Sequence, residues 1–198
     1  MKKTFIIIFL LGGLLINNCY SQRIIWQDDF ETDKGWSEIN DENGKCVVKN
    51  GKIEIKSEKG KRYISRCKTN LDGKKDFTIN VEVKLDDELS RGLYTGLIFD
   101  YRDNRNFKVF YIEKGFVWFE EYVGGTIDRQ EKDLLKKYGD DKKDFKFEIQ
   151  RKGQNVMFLV DDEETIEMDG IFEVRSNRIG LMVSGEHEVS FDNAKIIQ

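Results

Sequence analysis

Five aromatic residues with polar side chains fall within thirty positions of one another: Tyr94, Tyr101, Tyr111, Trp118 and Tyr122. Beside Tyr101 stand Asp100, Arg102, Asn104 and Arg105, and Glu120 lies between Trp118 and Tyr122. Sugars stack their C–H faces on aromatic planes while their hydroxyls seek Asp, Asn and Arg, so this combination has the composition of a glycan cleft. A β-sandwich also buries aromatic rings as core, and that assignment competes for most of the cluster. If residues 116–123 form a strand, Phe116, Trp118, Glu120 and Tyr122 share one face and Val117, Phe119, Glu121 and Val123 the other. The first, mixed face is the expected ligand side, with Tyr101, Trp118, Tyr122, Asp100, Arg102 and Glu120 as the ligand-binding set.

Other chemistries are thinly supplied. The chain holds one histidine, His187, which excludes two-histidine zinc sites and leaves a Ser-His-Asp triad a single possible base. No Gly-x-Ser-x-Gly elbow accompanies it, so the expected catalytic set is empty. The densest run of acids is Asp161 to Asp169, DDEETIEMD, which reads as a charged loop after a hairpin strand rather than as a catalytic pair. Asp28, Asp29 and Asp192 would supply oxygens to a structural Ca²⁺ if the chain ends meet; the same residues also suit turn capping. Cys46 and Cys67 are either a disulfide or two buried thiols, since strand register decides whether they can meet.

These residues need a scaffold, and residues 93–123 describe one. LYTGLIFDY, the turn RDNRN, FKVFYI, the turn EKG and FVWFEEYV form three β-rich runs with Asp/Asn/Gly punctuation, which is an antiparallel meander. Residues 76–85, DFTINVEVKL, alternate strictly: Phe77, Ile79, Val81, Val83 and Leu85 on one face, Thr78, Asn80, Glu82 and Lys84 on the other. Asn50-Gly51 is a type I′ hairpin signal, and Lys152-Gly153 marks another hairpin. No proline interrupts any run. The charge-dense stretch around 130–138, with Leu134, Leu135 and Tyr138 as its apolar points, reads as one short helix ending at Gly139. The expectation is an all-β, two-sheet antiparallel jelly-roll sandwich of about eleven strands and that helix.

The first 21 residues have the form of a signal peptide. Lys2 and Lys3 precede an apolar run from Phe5 to Ile16, and Cys19-Tyr20-Ser21 offers a cleavage site before Gln22. Lipidation at Cys19 is the alternative processing. The apolar run falls short of the roughly 20 residues that span a bilayer, so no membrane span is expected. Residues 22–198 suit one domain. They carry 31 basic and 37 acidic side chains, a net charge of −6, which disfavours nucleic acid as a partner. The expected address is outside the cytoplasm: periplasmic, outer-membrane-associated or extracellular.

The succession GLIFDYRDNRNFKVFYIEKGFVWFEEYVGG, the opening DDF…GW, the hairpin FKFEIQRKGQNVMFLVDDEE and the close RIGLMVSGEHEVSFDNAKI together resemble concanavalin A-like, laminin G-like jelly rolls of bacterial exported proteins. The 3-keto-disaccharide hydrolase-type domains are near this group. The resemblance implies a two-sheet jelly roll, often with a curved face that receives a glycan, and it does not imply catalysis. Three functions follow in order: a non-catalytic binding module for a carbohydrate or another cell-surface ligand, a glycoside hydrolase using paired carboxylates, and a structural or interaction domain of the cell envelope.

Overall fold

A computed structural model describes residues 22–38, 40–42, 44–88, 90–135, 142–170 and 173–198. The expected signal peptide and Cys19 lie outside these residues. Among the described residues fifteen antiparallel strands form two sheets and there is no helix, hence none long and apolar enough to cross a membrane.

The first sheet is built on β6 (Phe77–Leu85), β11 (Asp144–Lys152), β12 (Asn155–Val160) and β15 (His187–Ile197). On one side β13 (Glu163–Met168) follows β12. On the other, β4 (Lys52–Ser57), β3 (Gly44–Lys49) and β2 (Asn40–Asp41) extend the sheet from β15, and β1 (Ile24–Asp28) also pairs β15. The second sheet runs β10 (Thr126–Leu134), β9 (Phe116–Val123), β8 (Asn106–Glu113), β7 (Tyr94–Asp103), β14 (Arg178–Ser184) and β5 (Arg62–Lys68).

The alternation read from the sequence is what joins the layers. Phe77, Ile79, Val81, Val83 and Leu85 all face inward and are buried. They meet Phe99, Phe110, Phe119 and Leu181 from the second sheet in one continuous core. Phe110 of β8 and Phe158 of β12 stack across the gap at 4.9 Å and 8°, a geometry that adds about 0.5–1.5 kcal/mol to the burial itself. Asn50 and Gly51 both take positive φ, 52° and 71°, as a type I′ turn requires.

Two expectations about elements are overturned. Residues 126–134 form an edge strand, not a helix; the remainder of the proposed helix, 136–138, lies outside the described residues. Ile127–Leu134 has few apolar residues to choose a local structure, and the open backbone edge of β9 accepts it from Thr126↔Val123 to Leu134↔Phe116, with one register shift between Ile127 and Arg129. Its charged, exposed surface is what an edge strand needs to avoid pairing with another chain. The acidic run 161–169 also differs from the expected loop. Asp161 and Asp162 make the turn with φ of 52° and 65°, and β13 then pairs β12 so that Ile166 and Met168 close the core.

Candidate functional site

The second sheet carries apolar side chains on both faces. Beneath it lies the core; on its outer face a separate cluster joins Ile98, Tyr101, Phe107, Val109, Tyr111 and Met182, packed by Ile64, Tyr94, Trp118 and Tyr122. Alternation explains the placement: β9 sends Val117 and Phe119 inward, and Trp118, Glu120 and Tyr122 outward. The rings form two rows. Trp118 lies parallel to Tyr111 at 6.1 Å and 10°, and Tyr94 meets Tyr111 edge-on at 5.4 Å. Tyr122 stacks on Phe107 at 4.5 Å, and Tyr101 continues that row at 6.3 Å. Gly96 makes room for the first row, because a Cβ there would stand 2.6 Å from the Tyr111 Cβ.

A carboxylate ties the rows together. Glu120 is 6% exposed. Its Oε1 accepts from the Tyr111 hydroxyl at 2.9 Å and from Gln130 Nε2 at 2.7 Å, and its Oε2 accepts from the Tyr122 hydroxyl at 2.7 Å. Burial first, and then the Glu120 charge, raise the Tyr111 phenol far above its ordinary value. Tyr122 is raised by burial and by its hydrogen bond to Glu120, with Arg62 opposing. Both hydroxyls are therefore fixed donors to Glu120 at neutral pH. One donor on this face is unspent: the Trp118 Nε1 is buried and has no hydrogen-bond partner, a cost that an acceptor on a bound molecule would relieve.

Cations frame the rings. The Lys132 Nζ sits 4.7 Å from the Trp118 ring centroid and 4.3 Å from that of Phe116. Arg66 lies over Tyr101 at 5.4 Å. Arg62 lies over Tyr122 at 4.9 Å, and its Nη1 donates to the Tyr122 hydroxyl at 2.9 Å. That bond reports the shape of the face. Arg62 is on β5 and Tyr122 on β9, with β14, β7 and β8 between them, so four strand spacings alone separate their backbones by about 19 Å on a flat sheet. Two side chains and one hydrogen bond do not cover that distance, so the twisted sheet coils toward its outer face and makes a trough.

Tyr101, Trp118, Tyr122 and Glu120 thus come together on the trough. Asp100 and Arg102 do not. Asp100 has φ 52° and turns under the sheet, where it is fully buried. Its Oδ2 takes the Lys108 ammonium at 2.6 Å, and its Oδ1 accepts from the backbone amides of Arg175 and Ser176 at 2.8 Å each. Asp100 anchors the segment before β14 rather than facing solvent. Arg102 opens onto a cleft at the end of the sandwich. Asn104 accepts from the Tyr101 hydroxyl, and Arg105 Nε donates to the Gly124 carbonyl at 2.9 Å, closing one turn onto the next. Arg62, Arg66, Gln130 and Lys132 were not singled out from the sequence. Arg62 and Arg66 stand on β5, far earlier in the chain, and only sheet order brings them to the rings; Gln130 and Lys132 stand on β10, the hairpin partner of β9 in the stretch that reads as a helix.

The residues considered for Ca²⁺ each accept local hydrogen bonds. The Asp28 carboxylate accepts from the Phe30 amide and the Trp36 Nε1, both at 2.8 Å. Asp29 accepts from the Glu31 amide, and Asp192 from the Asn193 amide. Among the described residues, no group of three or more His, Cys, Asp or Glu could hold a metal ion. Cys46 and Cys67 are both free, buried thiols. They stand on β3 and β5, in different sheets, and burial pushes each thiol up to about 11, so neither is a ready nucleophile.

Paired carboxylates are poorly placed on the trough. Within the outward register of β8 and β9 the acids are Glu113 and Glu120. Glu120 faces Val109, and Glu113 stands four residues further along, about 13 Å at strand rise. A retaining glycosidase needs about 5 Å.

His187 is 5% exposed, and neither ring nitrogen has a hydrogen-bond partner. Burial lowers its pKa from the ordinary 6.5, against weaker raising effects of the Gly185 carbonyl and Asp87. As pH falls below about 6.5 the unfolded chain takes up a proton that the buried ring refuses, so stability drops on acidification. In His187→Met this part of the acid sensitivity should vanish, with stability at pH 7 equal to wild type or up to about 1 kcal/mol higher. Urea melts at several pH values compare the two; a parallel acid slope in both proteins would refute it.

No protein-family model matches the sequence, and no curated protein resembles it. Solved structures do share its fold. The carbohydrate-binding module CBM66 from Bacillus subtilis superposes with a TM-score of 0.62 at 19% identity, covering 83% of this chain and 96% of that one. The family GH16 endo-β-1,3(4)-glucanase SCLam gives 0.65 at 11% identity, covering 90% and 92%. A protein of unknown function with a galectin-like fold from Bacillus subtilis gives 0.60 at 8%, covering 88% and 96%. The carbohydrate-binding module and the glucanase belong to the concanavalin A-like lectin/glucanase superfamily, and at these identities the likeness establishes the jelly-roll fold alone.

Proposed function

We propose that the chain is an exported, non-catalytic carbohydrate-binding protein whose ligand lies in the trough on the outer face of the six-stranded sheet. The observation that carries this reading is the pairing of two stacked aromatic rows with the unspent Trp118 Nε1. Sugar rings present one apolar face and a rim of hydroxyls. Trp118 and Tyr122, each stacked on a neighbouring ring with a cation over it, supply apolar surface for the first once Lys132 and Arg62 swing aside, while Trp118 Nε1, Arg62 and Gln130 supply polar partners for the second. The basic and then apolar character of residues 1–21 supports export. A carbohydrate-binding module among the similar folds is consistent with this reading.

Trp118→Ala tests it. In calorimetric titrations against a panel of neutral polysaccharides, wild type should bind at least one. The variant should lose about tenfold in affinity, the equivalent of about 1.4 kcal/mol and the scale of one stacking contact. Thermal unfolding of the variant should remain cooperative, because Trp118 lies outside the main core. Absence of binding to every polysaccharide, or equal affinity in the variant, would count against the proposal.

A further inference from the structure

Beside the last residues of β5 and β7 and the first of β14 lies a second concavity. It is a cleft of about 1070 Å³, lined by Lys68, Lys74, Arg102, Arg151, Arg175 and Arg178 against two carboxylates, Asp72 and Glu173. The whole chain carries a net charge of −4, so this concentration of cations runs against the protein's overall balance. The two acids have cationic neighbours: Glu173 pairs with Arg175, and Asp72 with Lys75. Arg151 is tied to the backbone carbonyls of Gly73 and Gly153.

Four cations are left over, Lys68, Lys74, Arg102 and Arg178, of which Lys68, Arg102 and Arg178 stand on strands of the six-stranded sheet. Arg102 also lines a smaller cleft with Asp100, Glu121 and Glu173, yet its Nε is buried without a hydrogen-bond partner. A guanidinium nitrogen removed from water and left unpaired is costly unless an acceptor arrives. Asp100 builds this site from below, because its carboxylate holds the Arg175 and Ser176 amides and so sets the cleft wall. Of the cleft's lining residues, Arg178 is the one that reaches toward the aromatic rows. Arg178 acts on the Tyr101 phenol electrostatically, and Arg66 lies over the same ring.

We infer that the ligand is an acidic polysaccharide, with a sulfate or carboxylate group seated on Arg102, Arg178 and Lys68 while its sugar rings lie along the trough. This deepens the carbohydrate reading and rests on it. Arginine forks match planar and tetrahedral oxyanions in two-point contacts, and an attached sugar would continue over Tyr101 toward Tyr122.

The experiment compares the full chain with Lys68→Gln/Arg102→Gln/Arg178→Gln and with Trp118→Ala. The probes are dextran sulfate, uncharged dextran, polygalacturonate and a single-stranded oligonucleotide. Wild type should bind dextran sulfate or polygalacturonate at least tenfold more tightly than dextran. The triple variant should lose that advantage, with its slope of log affinity against log salt shallower by about two to three. Which anion is preferred separates sulfate from carboxylate. Equal affinity of the triple variant and wild type for both anionic polysaccharides would overturn the inference and leave the trough reading standing. Oligonucleotide binding as tight as the polysaccharides would overturn it as well, by making the cleft a general polyanion surface. If Trp118→Ala leaves all affinities intact while the triple variant abolishes anionic binding, the trough reading fails and the inference fails with it, leaving an isolated anion site. A near-wild-type melting temperature of the triple variant shows that a loss is local.

Discussion

Asp100→Ala is expected to destabilise the protein by about 3–5 kcal/mol in chemical denaturation, the scale of breaking a buried ion pair. The side chains of Asp100 and Lys108 are 0% and 7% exposed, and they meet at 2.6 Å. Removing the carboxylate strips Lys108 of its closest acid, although Glu121 remains at 3.3 Å. It also orphans the Arg175 and Ser176 amides and places alanine at φ 52°, where an L side chain other than Asn or Asp is strained. Asp100→Asn keeps the backbone preference and one acceptor, so it should cost less than half as much. Asp100→Ala/Lys108→Met, which removes both charges, should recover part of the loss. A cost below about 1 kcal/mol for the alanine variant would contradict this account. Because total stability of a domain is about 5–15 kcal/mol, the alanine variant is best studied at low temperature. There it should lose anionic-ligand affinity before neutral-ligand affinity, since the segment it releases walls the basic cleft.

The second large effect is at Glu120. Glu120→Ala should cost about 2–3 kcal/mol, because one carboxylate satisfies the Tyr111 and Tyr122 hydroxyls and the Gln130 amide in a buried setting. Glu120→Gln should cost less, as it keeps the volume and an acceptor oxygen. Both variants share a signature that simple loss of packing would not produce. The Glu120 charge opposes ionisation of the two phenols, so spectrophotometric titration should show the Tyr122 pKa moving down toward its ordinary 10. It should not fall to that value, because burial is the larger cause. The sign for stability follows. Raised phenol pKa values mean that the unfolded chain ionises first, so wild type loses stability as pH rises through 10. That alkaline loss should be smaller in both variants. An unchanged tyrosine titration would show that the carboxylate does not govern these rings.

How much of this was legible beforehand differs element by element. Residues 76–85 announced their buried face because the period of a strand is two and the residues obey it without exception. Asn50-Gly51 announced its turn because few other pairs take positive φ twice at low cost. The same alternation separated Trp118, Glu120 and Tyr122 from Val117 and Phe119. Residues 126–134 were misread because charged residues impose no period, and the pairing that decides their conformation comes from the edge of β9. Asp100 was grouped with Tyr101 by adjacency. Neighbours in a strand point to opposite faces, and the positive φ at Asp100 turns its carboxylate inward while Tyr101 stays on the outer face.

By itself, the order of residues determined two apolar layers, the turns between strands and a set of aromatic rings on one side of a meander, since these depend on neighbours within a strand or a hairpin. Tertiary structure decided the rest. Strand order placed Arg62 and Arg66 beside rings met much later in the chain. Coiling turned a sheet face into a trough, and Lys68, Arg102 and Arg178 converged from three strands into one basic cleft. The reason is range: periodicity and turn chemistry act over a few residues, whereas a site on a sheet is assembled across strands whose pairing is set by the burial of the whole core.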